Sequence, residues 1–285
     1  MQIITTKQEL QATIQACKNV GKTIGLVPTM GALHEGHASL VRRAVSENDV
    51  CVVSVFVNPT QFNNKEDLAK YPRNIERDAE LLSTIGAHYV FAPTPEEMYS
   101  AEEMNTTFQF DFAGLDQVME GKMRPGHFNG VVQVVSRLFY LVQPDKAYFG
   151  EKDFQQIAVI QAMVKDLNIP VTICPCPIVR ESDGLALSSR NSLLDASERL
   201  LAVNISRALF MSQAYAPTHS VRETRNYVVS MLDAIGGLRV EYFEIVDAQT
   251  LQAVDSWDDA EAIQGCITVY CGKMPVRLID NVKYK

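Results

Sequence analysis

The sequence lacks the features that mark a membrane protein or an exported protein. No stretch approaches the roughly 18 consecutive apolar residues that a membrane-spanning helix needs. The first residues, Met1–Thr5, have neither a basic region nor a long apolar run, so we expect no secretory signal. These absences predict a cytoplasmic protein with no membrane partner.

Positive charge is also scarce in this chain. Lys and Arg number 26 against 34 Asp and Glu, which leaves a formal net charge of -8. A nucleic-acid groove needs clustered Lys and Arg to neutralise phosphates, so this balance argues against nucleic acid as a partner. A small anion site stays compatible with the composition, because it needs only local positive charge. With 47% hydrophobic and 21% charged residues, the chain is predicted to be globular.

The six cysteines show neither zinc-site spacing nor a disulfide framework. Cys17 and Cys51 lie in apolar periodic segments, where a free cysteine packs as a small hydrophobic residue. Cys174 and Cys176 are too close in sequence for an ordinary disulfide and lack the spacing of zinc ligands. Without an export signal, we expect all six to be reduced thiols.

Strand-like apolar runs alternate with helix-like amphipathic segments up to about residue 175. The predicted strands begin near Ile24, Val50, Tyr89, Ala147 and Val171. This alternation predicts an α/β fold with right-handed crossovers and a doubly wound parallel sheet. Residues 93–104 are predicted to form a surface loop, and the alternating Phe108, Phe110 and Phe112 predict a half-buried strand.

The pattern changes after Pro177. A polar, turn-like stretch is followed by helical periods over residues 195–215 and 220–235, and then by three strand-like segments. We therefore predict two domains, a parallel-sheet domain over residues 1–177 and a smaller α+β domain over residues 178–285.

The most informative stretch is the decapeptide of residues 28–37, Pro-Thr-Met-Gly-Ala-Leu-His-Glu-Gly-His. It joins a buried strand to a helix, and its glycines allow the backbone to approach a ligand. The free N–H groups at a helix N-terminus favour an anion. His34 and His37, three residues apart, place two N–H donors where phosphate oxygens that gain charge could be stabilised. Alone, this spacing is also typical of a capped helix start or half of a metal site.

Two further polar loops follow predicted strands. They span residues 58–62 and 150–156, and together with residues 28–37 they carry histidines, a lysine, an aspartate and glutamines. In open parallel sheets, ligands bind outside the carboxyl ends of the strands. We therefore expect the three loops to meet at one edge of the sheet and to form an active site.

Five motifs in order along the chain resemble those of the pantoate–β-alanine ligase family, the pantothenate synthetases. They are the decapeptide, Phe56-Val57-Asn58-Pro59-Thr60-Gln61-Phe62, Arg124-Pro125-Gly126-His127-Phe128, Phe149-Gly150-Glu151-Lys152-Asp153-Phe154-Gln155-Gln156 and Asp183-Gly184-Leu185-Ala186-Leu187-Ser188-Ser189-Arg190-Asn191. The resemblance covers nearly the whole chain. Although His-x-Gly-His alone is shared with many nucleotidyl transferases, the set of motifs is specific.

The resemblance implies a two-step reaction. ATP and pantoate form pantoyl-adenylate and pyrophosphate, and β-alanine then attacks the mixed anhydride to give pantothenate and AMP. It also implies a Rossmann-like N-terminal domain, a smaller C-terminal domain that closes over ATP, a magnesium requirement with no organic prosthetic group, and a cytoplasmic homodimer.

The resemblance also implies the site residues. His34, His37 and Lys152 are the expected catalytic residues, with His37 as proton donor. Gln61 and Gln156 would bind pantoate, and Gln61 also β-alanine. The expected ATP-binding residues are Met30, Gly31, Ala32, Leu33, His34, Glu35, Gly36, His37, Gly150, Glu151, Lys152, Asp153, Val179, Leu187, Ser188, Ser189 and Arg190. Asp78 matches a helix position near the metal and phosphates, and Gln155 is expected to face away.

Physical chemistry agrees with several of these roles. A lysine is a compact positive charge for phosphates, and two hydroxyls with a guanidinium suit triphosphate oxygens. Two amides can hold the pantoate carboxylate without the strong neutralisation that would make it a poorer nucleophile. Magnesium needs few protein ligands, because ATP supplies most of its oxygens.

Two other interpretations stay open from the residues alone. A nucleotidyl transferase shares His-x-Gly-His and the sheet, but it would favour Arg or Lys for a second phosphate over paired glutamines. A non-catalytic nucleotide-sensing module would need phosphate loops but no substrate amides.

Overall fold

The computed structural model describes residues 1–62, 68–69, 71–106 and 108–285. The chain divides into two compact units. The first comprises Met1–Asp116, Glu120–Glu151 and Gln156–Pro177, and the second comprises Gln117–Met119, Lys152–Gln155 and Ile178–Lys285. The long segment of the second unit begins at Ile178, and its two short segments lie earlier in the chain.

A parallel sheet forms the centre of the first unit. Its strands are β1 (Gln2–Ile4), β2 (Ile24–Thr29), β3 (Val50–Val55), β4 (Tyr89–Phe91), β5 (Lys146–Gly150) and β6 (Thr172–Cys176). Within the described residues the six strands pair in the order β1-β4-β3-β2-β5-β6, and every pair is parallel. The predicted α/β class and parallel sheet are confirmed. The sequence prediction missed β1, because three residues are too few to show a period.

Helices connect these strands. In the part of the chain before residue 178 they are α1 (Lys7–Asn19), α2 (Glu35–Glu47), α3 (Ile75–Thr84), α4 (Pro95–Met98), α5 (Ala101–Asn105), α6 (Met119–Met123), α7 (His127–Val142) and α8 (Phe154–Asp166). Asn74 caps α3, as predicted, by accepting the N–H of Arg77 at 2.9 Å.

Two local predictions between residues 93 and 112 are wrong. Residues 93–104 hold the short helices α4 and α5, whose N-caps Thr94 and Ser100 accept backbone N–H groups from within the first turn. Helices this short carry no readable period. The described residues 108–112 form no strand, and the rings of Phe110 and Phe112 instead pack edge to face at 5.0 Å. Aromatic packing, and not strand pairing, accounts for the alternation there.

The sheet is covered on both faces. On β2, Leu26 joins a cluster with apolar residues of α1, α7 and α8, whereas the next residue, Val27, joins a cluster with residues of α2 and α3. Successive side chains of a strand point to opposite faces, so both faces of β2 and β3 are buried. This accounts for the nearly continuous apolar sequence of these strands.

The strand order reverses direction around β2. From β2 the chain moves through β3 to β4 on one side, and β5 and β6 then lie on the other side. This makes the carboxyl ends of β2 and β5 a topological switch point, the usual ligand position in such sheets. The segments that follow β2, β3 and β5 leave the same edge, as predicted, because the three strands are parallel neighbours.

The second unit is built on an antiparallel sheet. Its strands are β7 (Leu238–Asp247), β8 (Ile263–Cys271) and β9 (Val276–Lys283), paired in that order. Helices α9 (Ala196–Tyr215) and α10 (Val221–Asp233) share its apolar cluster. Both begin at capping boxes, on Asp195 and Ser220. The predicted smaller α+β unit is confirmed.

A search of the described helices finds none with both the length and the apolar character needed to cross a membrane.

Candidate active site

The loop between β2 and α2 is held by a buried carboxylate. Gly31 and Ala32 have positive φ angles of 83° and 51°, which turn the chain sharply after β2. Asp78 on α3, only 2% exposed, accepts the N–H of Ala32 at 2.9 Å and that of Leu33 at 2.8 Å. A Cβ on Gly31 would lie 2.9 Å from Asp78 Oδ2, so the close approach requires glycine there.

The two histidines stand side by side at the N-terminus of α2. His34 is the N-cap, and the ring centroids of His34 and His37 lie 4.1 Å apart. His34 Nδ1 accepts the N–H of Gly36 at 3.1 Å, and His37 Nδ1 accepts the N–H of His34 at 3.3 Å. Since Nδ1 is the acceptor in each ring, the proton of the neutral imidazole lies on Nε2. The loop thus orients two Nε2–H donors at a helix N-terminus.

The amide of Gln61 is oriented by a buried neighbour that the sequence prediction left out. Asn58, 1% exposed, donates from Nδ2 to Gln61 Oε1 at 3.2 Å and to Gly130 O at 3.0 Å. The hydroxyl of Tyr99 donates to Asn58 Oδ1 at 2.9 Å, which fixes the Asn58 amide. Gln61 Nε2 lies 3.0 Å from Met30 Sδ. The Gln61 oxygen is therefore used internally, while its N–H groups face the Met30 side.

Tyr99 is one of the largest fully buried side chains, and burial raises its pKa to about 12. Its hydroxyl therefore keeps its proton at neutral pH and stays a donor to Asn58. Asn58 stands within the quoted motif of residues 56–62, so its position in the sequence was the available signal. Tyr99 lies 41 residues further along the chain and gave none.

The two glutamines after β5 have different surroundings. Gln155 is buried, and its Nε2 donates to Val118 O at 2.9 Å within the second unit. Gln156 is partly exposed in the first turn of α8 and belongs to the first unit, together with Gly150 and Glu151. The described contacts leave the pairing of Gln156 with Gln61 as a prediction.

In the second unit, Lys152 and Asp153 form an ion pair, with Nζ 3.1 Å from Oδ2. The carbonyl of Lys152 accepts from Asn281 Nδ2 at 3.0 Å, which ties this short segment to β9. Asn281 Oδ1 in turn accepts from Gln264 Nε2 at 2.7 Å. The backbone at Lys152 is therefore held by a side-chain network that the sequence did not reveal.

The segment of residues 179–191 folds back on itself in the same unit. Leu187 donates its N–H to Val179 O at 3.0 Å, and Arg180 and Ala186 form an antiparallel bridge. The turn is closed at Gly184, whose φ is 95°. Val179 and Leu187, 8 positions apart in the sequence and both predicted for ATP, are thereby neighbours.

Ser188 caps the 3-10 turn Ser189–Leu193 by accepting the N–H of Arg190 at 3.3 Å. Arg180 anchors the segment through two contacts to Asp280, at 2.7 and 2.8 Å. Asp183, which the sequence analysis left outside the site, pairs with Arg199 at 2.8 Å, and this partner holds the pKa of Asp183 below its usual value. Asp183 is therefore a structural residue of the turn.

Asp78 offers little to a metal ion. Its two oxygens accept the N–H groups of Ala32 and Leu33, and the residue is buried. Among the residues that the structure describes, no cluster of three His, Cys, Asp or Glu side chains could hold a metal. The geometry favours a role in holding the loop, and the assignment of Asp78 to magnesium stays a prediction.

Comparison with known proteins gives one consistent result. A family model described as pantoate-beta-alanine ligase matches residues 2–283. A pantothenate synthetase of Phocaeicola vulgatus is 59% identical over all of both chains, and one of Porphyromonas gingivalis is 56% identical over all of both chains.

Solved structures agree with this result. The pantothenate synthetase of Thermus thermophilus is 44% identical, with a TM-score of 0.91 over 100% of this chain and 99% of that one. The pantoate-beta-alanine ligase of Francisella tularensis, solved in complex with beta-gamma ATP and beta-alanine, is 34% identical. Its TM-score is 0.82 over 100% of this chain and 98% of that one.

Proposed function

The chain belongs to the pantoate–β-alanine ligase family, and from this premise we propose that it forms pantothenate from ATP, pantoate and β-alanine through a pantoyl-adenylate. The observation that carries the mechanism is the pair of imidazoles at the N-terminus of α2, each with its proton on Nε2. The loop that bears them follows β2 at the switch point of the sheet.

The first step is an in-line displacement at phosphorus. A carboxylate oxygen of pantoate attacks the α-phosphorus of ATP, the bond from that phosphorus to the bridging oxygen breaks, and pyrophosphate leaves. Charge grows on the α-phosphoryl oxygens and on the leaving group. Nε2–H donors of His34 and His37 stabilise this charge, with the N-terminus of α2 adding a favourable dipole. In this proposal His37 also gives its proton to the leaving pyrophosphate.

In the second step, the β-alanine amine attacks the carbonyl carbon of pantoyl-adenylate. An amide bond forms, the carbon–oxygen bond to AMP breaks, and the amine loses a proton to solvent or base. Gln61 is proposed to bind both pantoate and β-alanine. Since its oxygen accepts from Asn58, Gln61 binds these substrates through its Nε2–H group.

Amides at positions 61 and 156 suit this chemistry. The pantoate carboxylate must be held and still act as a nucleophile. A bidentate arginine would bind it more tightly but would also withdraw its negative charge. Met30, beside the Gln61 amide, provides an apolar wall.

The remaining ATP contacts are proposed from both units. In the first unit they are the loop residues Met30, Gly31, Ala32, Leu33, Glu35 and Gly36, with Gly150 and Glu151. In the second unit they are Lys152, Asp153, Val179, Leu187, Ser188, Ser189 and Arg190. Lys152 places positive charge on the phosphates, and the turn at Ser188 supplies hydroxyls and a guanidinium. The folding together of Val179 and Leu187 supports a common site for these two residues.

Magnesium is proposed to arrive with ATP, because phosphate oxygens supply most of its ligands. A cytoplasmic homodimer is proposed from the family resemblance. Light scattering of the purified protein gives the mass of the assembly, and a monomer at working concentrations contradicts the dimer.

Two linked assays test the reaction. Radiolabelled pyrophosphate should exchange into ATP only when pantoate is present, and AMP should be released only after β-alanine is added. Exchange supported by a phosphomonoester in place of pantoate would indicate a nucleotidyl transferase. Nucleotide binding without any exchange would indicate a sensing module.

A further inference from the structure

We propose that His127 is a positioning residue for Gln61, and that Arg124 selects the tautomer in which it acts. The inference rests on the proposed role of Gln61 in binding pantoate. Neither residue is among the predicted site residues, although both stand in the motif of residues 124–128. The four groups involved, Gln61, Glu120, Arg124 and His127, all belong to the first unit.

The contact to Gln61 is made through its backbone. His127 is buried at the first position of α7, and its Nδ1 lies 2.9 Å from the carbonyl oxygen of Gln61. A carbonyl can only accept a hydrogen bond, so Nδ1 carries the proton. The other ring nitrogen, Nε2, lies 3.2 Å from Nη1 of Arg124.

Arg124 makes this arrangement unambiguous. A guanidinium has only donors, so Nε2 of His127 must accept from it and cannot itself carry a proton. Glu120, one helical turn before Arg124, lies 3.7 Å from the same Nη1 and keeps the guanidinium in place. Both ring contacts therefore demand the neutral Nδ1–H tautomer, the opposite of the tautomer at His34 and His37.

The bond works together with a second one in the opposite direction. Asn58 Nδ2 donates to the carbonyl of Gly130 at 3.0 Å, so the first turn of α7 is fastened to residues 58–61 at two points. The chains touch closely here, because a Cβ on Gly130 would lie 2.5 Å from Gln61 Cα. The backbone at Gln61 is thus set by α7, and its amide is set by Asn58.

A matched pair of variants tests this role. In His127→Asn, the amide nitrogen occupies the place of Nδ1 and can still donate to Gln61 O. In His127→Leu, a side chain of the same branching has no donor. We expect the Leu variant to raise the KM for pantoate by about tenfold or more, because small displacements of a positioning group have large effects.

In the same assays the KM for ATP of the Leu variant should stay within about twofold of wild type, and the Asn variant should stay within about threefold for both substrates, since the donor persists. A Leu variant with the wild-type KM for pantoate would overturn the proposal. Equal defects in the Asn and Leu variants would also overturn it, because they would show that the ring matters only for packing.

Gln61→Ala separates this inference from the proposed function. If Gln61→Ala leaves the KM for pantoate unchanged, the role of Gln61 itself fails. If Gln61→Ala raises that KM while His127→Leu does not, only the positioning role fails.

A measurement on the wild-type protein avoids any folding defect of the variants. Side-chain nitrogen NMR distinguishes protonated from unprotonated ring nitrogens. We expect His127 to show a protonated Nδ1 and an unprotonated Nε2 at neutral pH, with the reverse pattern at His34 and His37. Protonated Nε2 at His127 would overturn the assignment of Arg124 as the group that selects the tautomer.

Discussion

At the scale of single residues, neighbouring polar groups decide what each histidine can donate. His34 and His37 turn Nδ1 towards backbone N–H groups, whereas His127 turns Nδ1 towards a carbonyl. The same side chain therefore presents Nε2–H in one place and Nδ1–H in another. The spacing of His34 and His37 predicted their proximity, but only the hydrogen bonds identify the atom that carries the proton.

His37→Asn should remove the proposed catalytic donor while keeping the helix start intact. The Asn oxygen can replace Nδ1 as acceptor for the His34 N–H, but nothing replaces Nε2–H. We expect kcat of adenylation to fall by roughly 10²–10³, as for the loss of other preorganised donors, with little change in melting temperature. Steady-state kinetics and thermal unfolding measure the two quantities.

His219→Asn is the matched control, because His219 belongs to the second unit and is not a predicted site residue. It should leave kcat within about twofold of wild type. If His37→Asn also retains kcat within about threefold, the imidazole serves only to cap α2, as hydrogen-bond acceptors at an N-cap commonly do.

Asp78→Asn tests whether the buried carboxylate holds the loop of residues 31–33. An amide keeps one acceptor oxygen but places an NH₂ group against the N–H of Ala32 or Leu33. Leaving such a buried group unsatisfied should lower the free energy of unfolding by about 1–3 kcal/mol, and pantoate-dependent exchange should fall with it. Urea unfolding and the exchange assay measure both effects.

Glu76→Gln, an exposed position on the same helix, is the control and should behave as wild type. A magnesium titration separates the two roles of Asp78. If excess magnesium restores exchange in Asp78→Asn, the carboxylate is a metal ligand. If the defect persists at saturating magnesium, its contribution is to the loop.

At the scale of elements, the N-terminus of α7 is built to touch the turn that holds Gln61. Gly130 lies inside this helix, where alanine would ordinarily be favoured by about 1 kcal/mol. A Cβ there would lie 2.6 Å from both Thr60 O and Gln61 N, and backbone cannot move aside as a flexible side chain can. The glycine is thus required by a contact between elements.

Gly130→Ala should therefore destabilise the protein by about 1–3 kcal/mol, against the trend of helix propensity. It should also raise the KM for pantoate, because the turn at Gln61 must shift. Gly236→Ala is a suitable control, since a Cβ there would meet nothing within 4 Å. Unfolding of Gly130→Ala at or above the wild-type midpoint would contradict a close contact between α7 and this turn.

At the scale of the whole molecule, a few paired carboxylates set the response to acid. Arg43 and Lys146 hold the pKa of Glu47 at about 2, and Arg137 does the same for Glu103, against an ordinary value of 4.5. A carboxylate whose pKa is lowered in the folded state stabilises that state above its unfolded pKa. That contribution is lost as the pH falls from 4.5 towards 2.

Glu47→Gln should thus lower stability at neutral pH and lower it less at acid pH, where the wild-type pair has lost part of its effect. Urea midpoints at about pH 7 and about pH 3 give the comparison, with Glu76→Gln as a control for removing a surface carboxylate. An equal difference between Glu47→Gln and wild type at both pH values would contradict an ionic role for Glu47.

Much of the architecture was determined by the sequence alone. Long periodic segments predicted the parallel sheet, its major helices and the smaller antiparallel unit, because burial imposes periods of two and 3.6 residues on strands and helices. The short elements β1, α4 and α5 escaped, since one helical turn or three strand residues show no period. The motifs of residues 28–37 and 183–191 identified candidate site residues because glycines and polar groups cluster there.

Only the tertiary structure decided how those residues are held and oriented. Asp78 reaches Ala32 across 46 positions of the chain, Tyr99 reaches Asn58 across 41, and His127 reaches Gln61 across 66. No local pattern reports such pairs, because hydrogen-bond direction depends on where the fold brings each donor and acceptor. The sequence determined which chemical groups are available, and the packing of distant segments decided which atoms of those groups face a ligand.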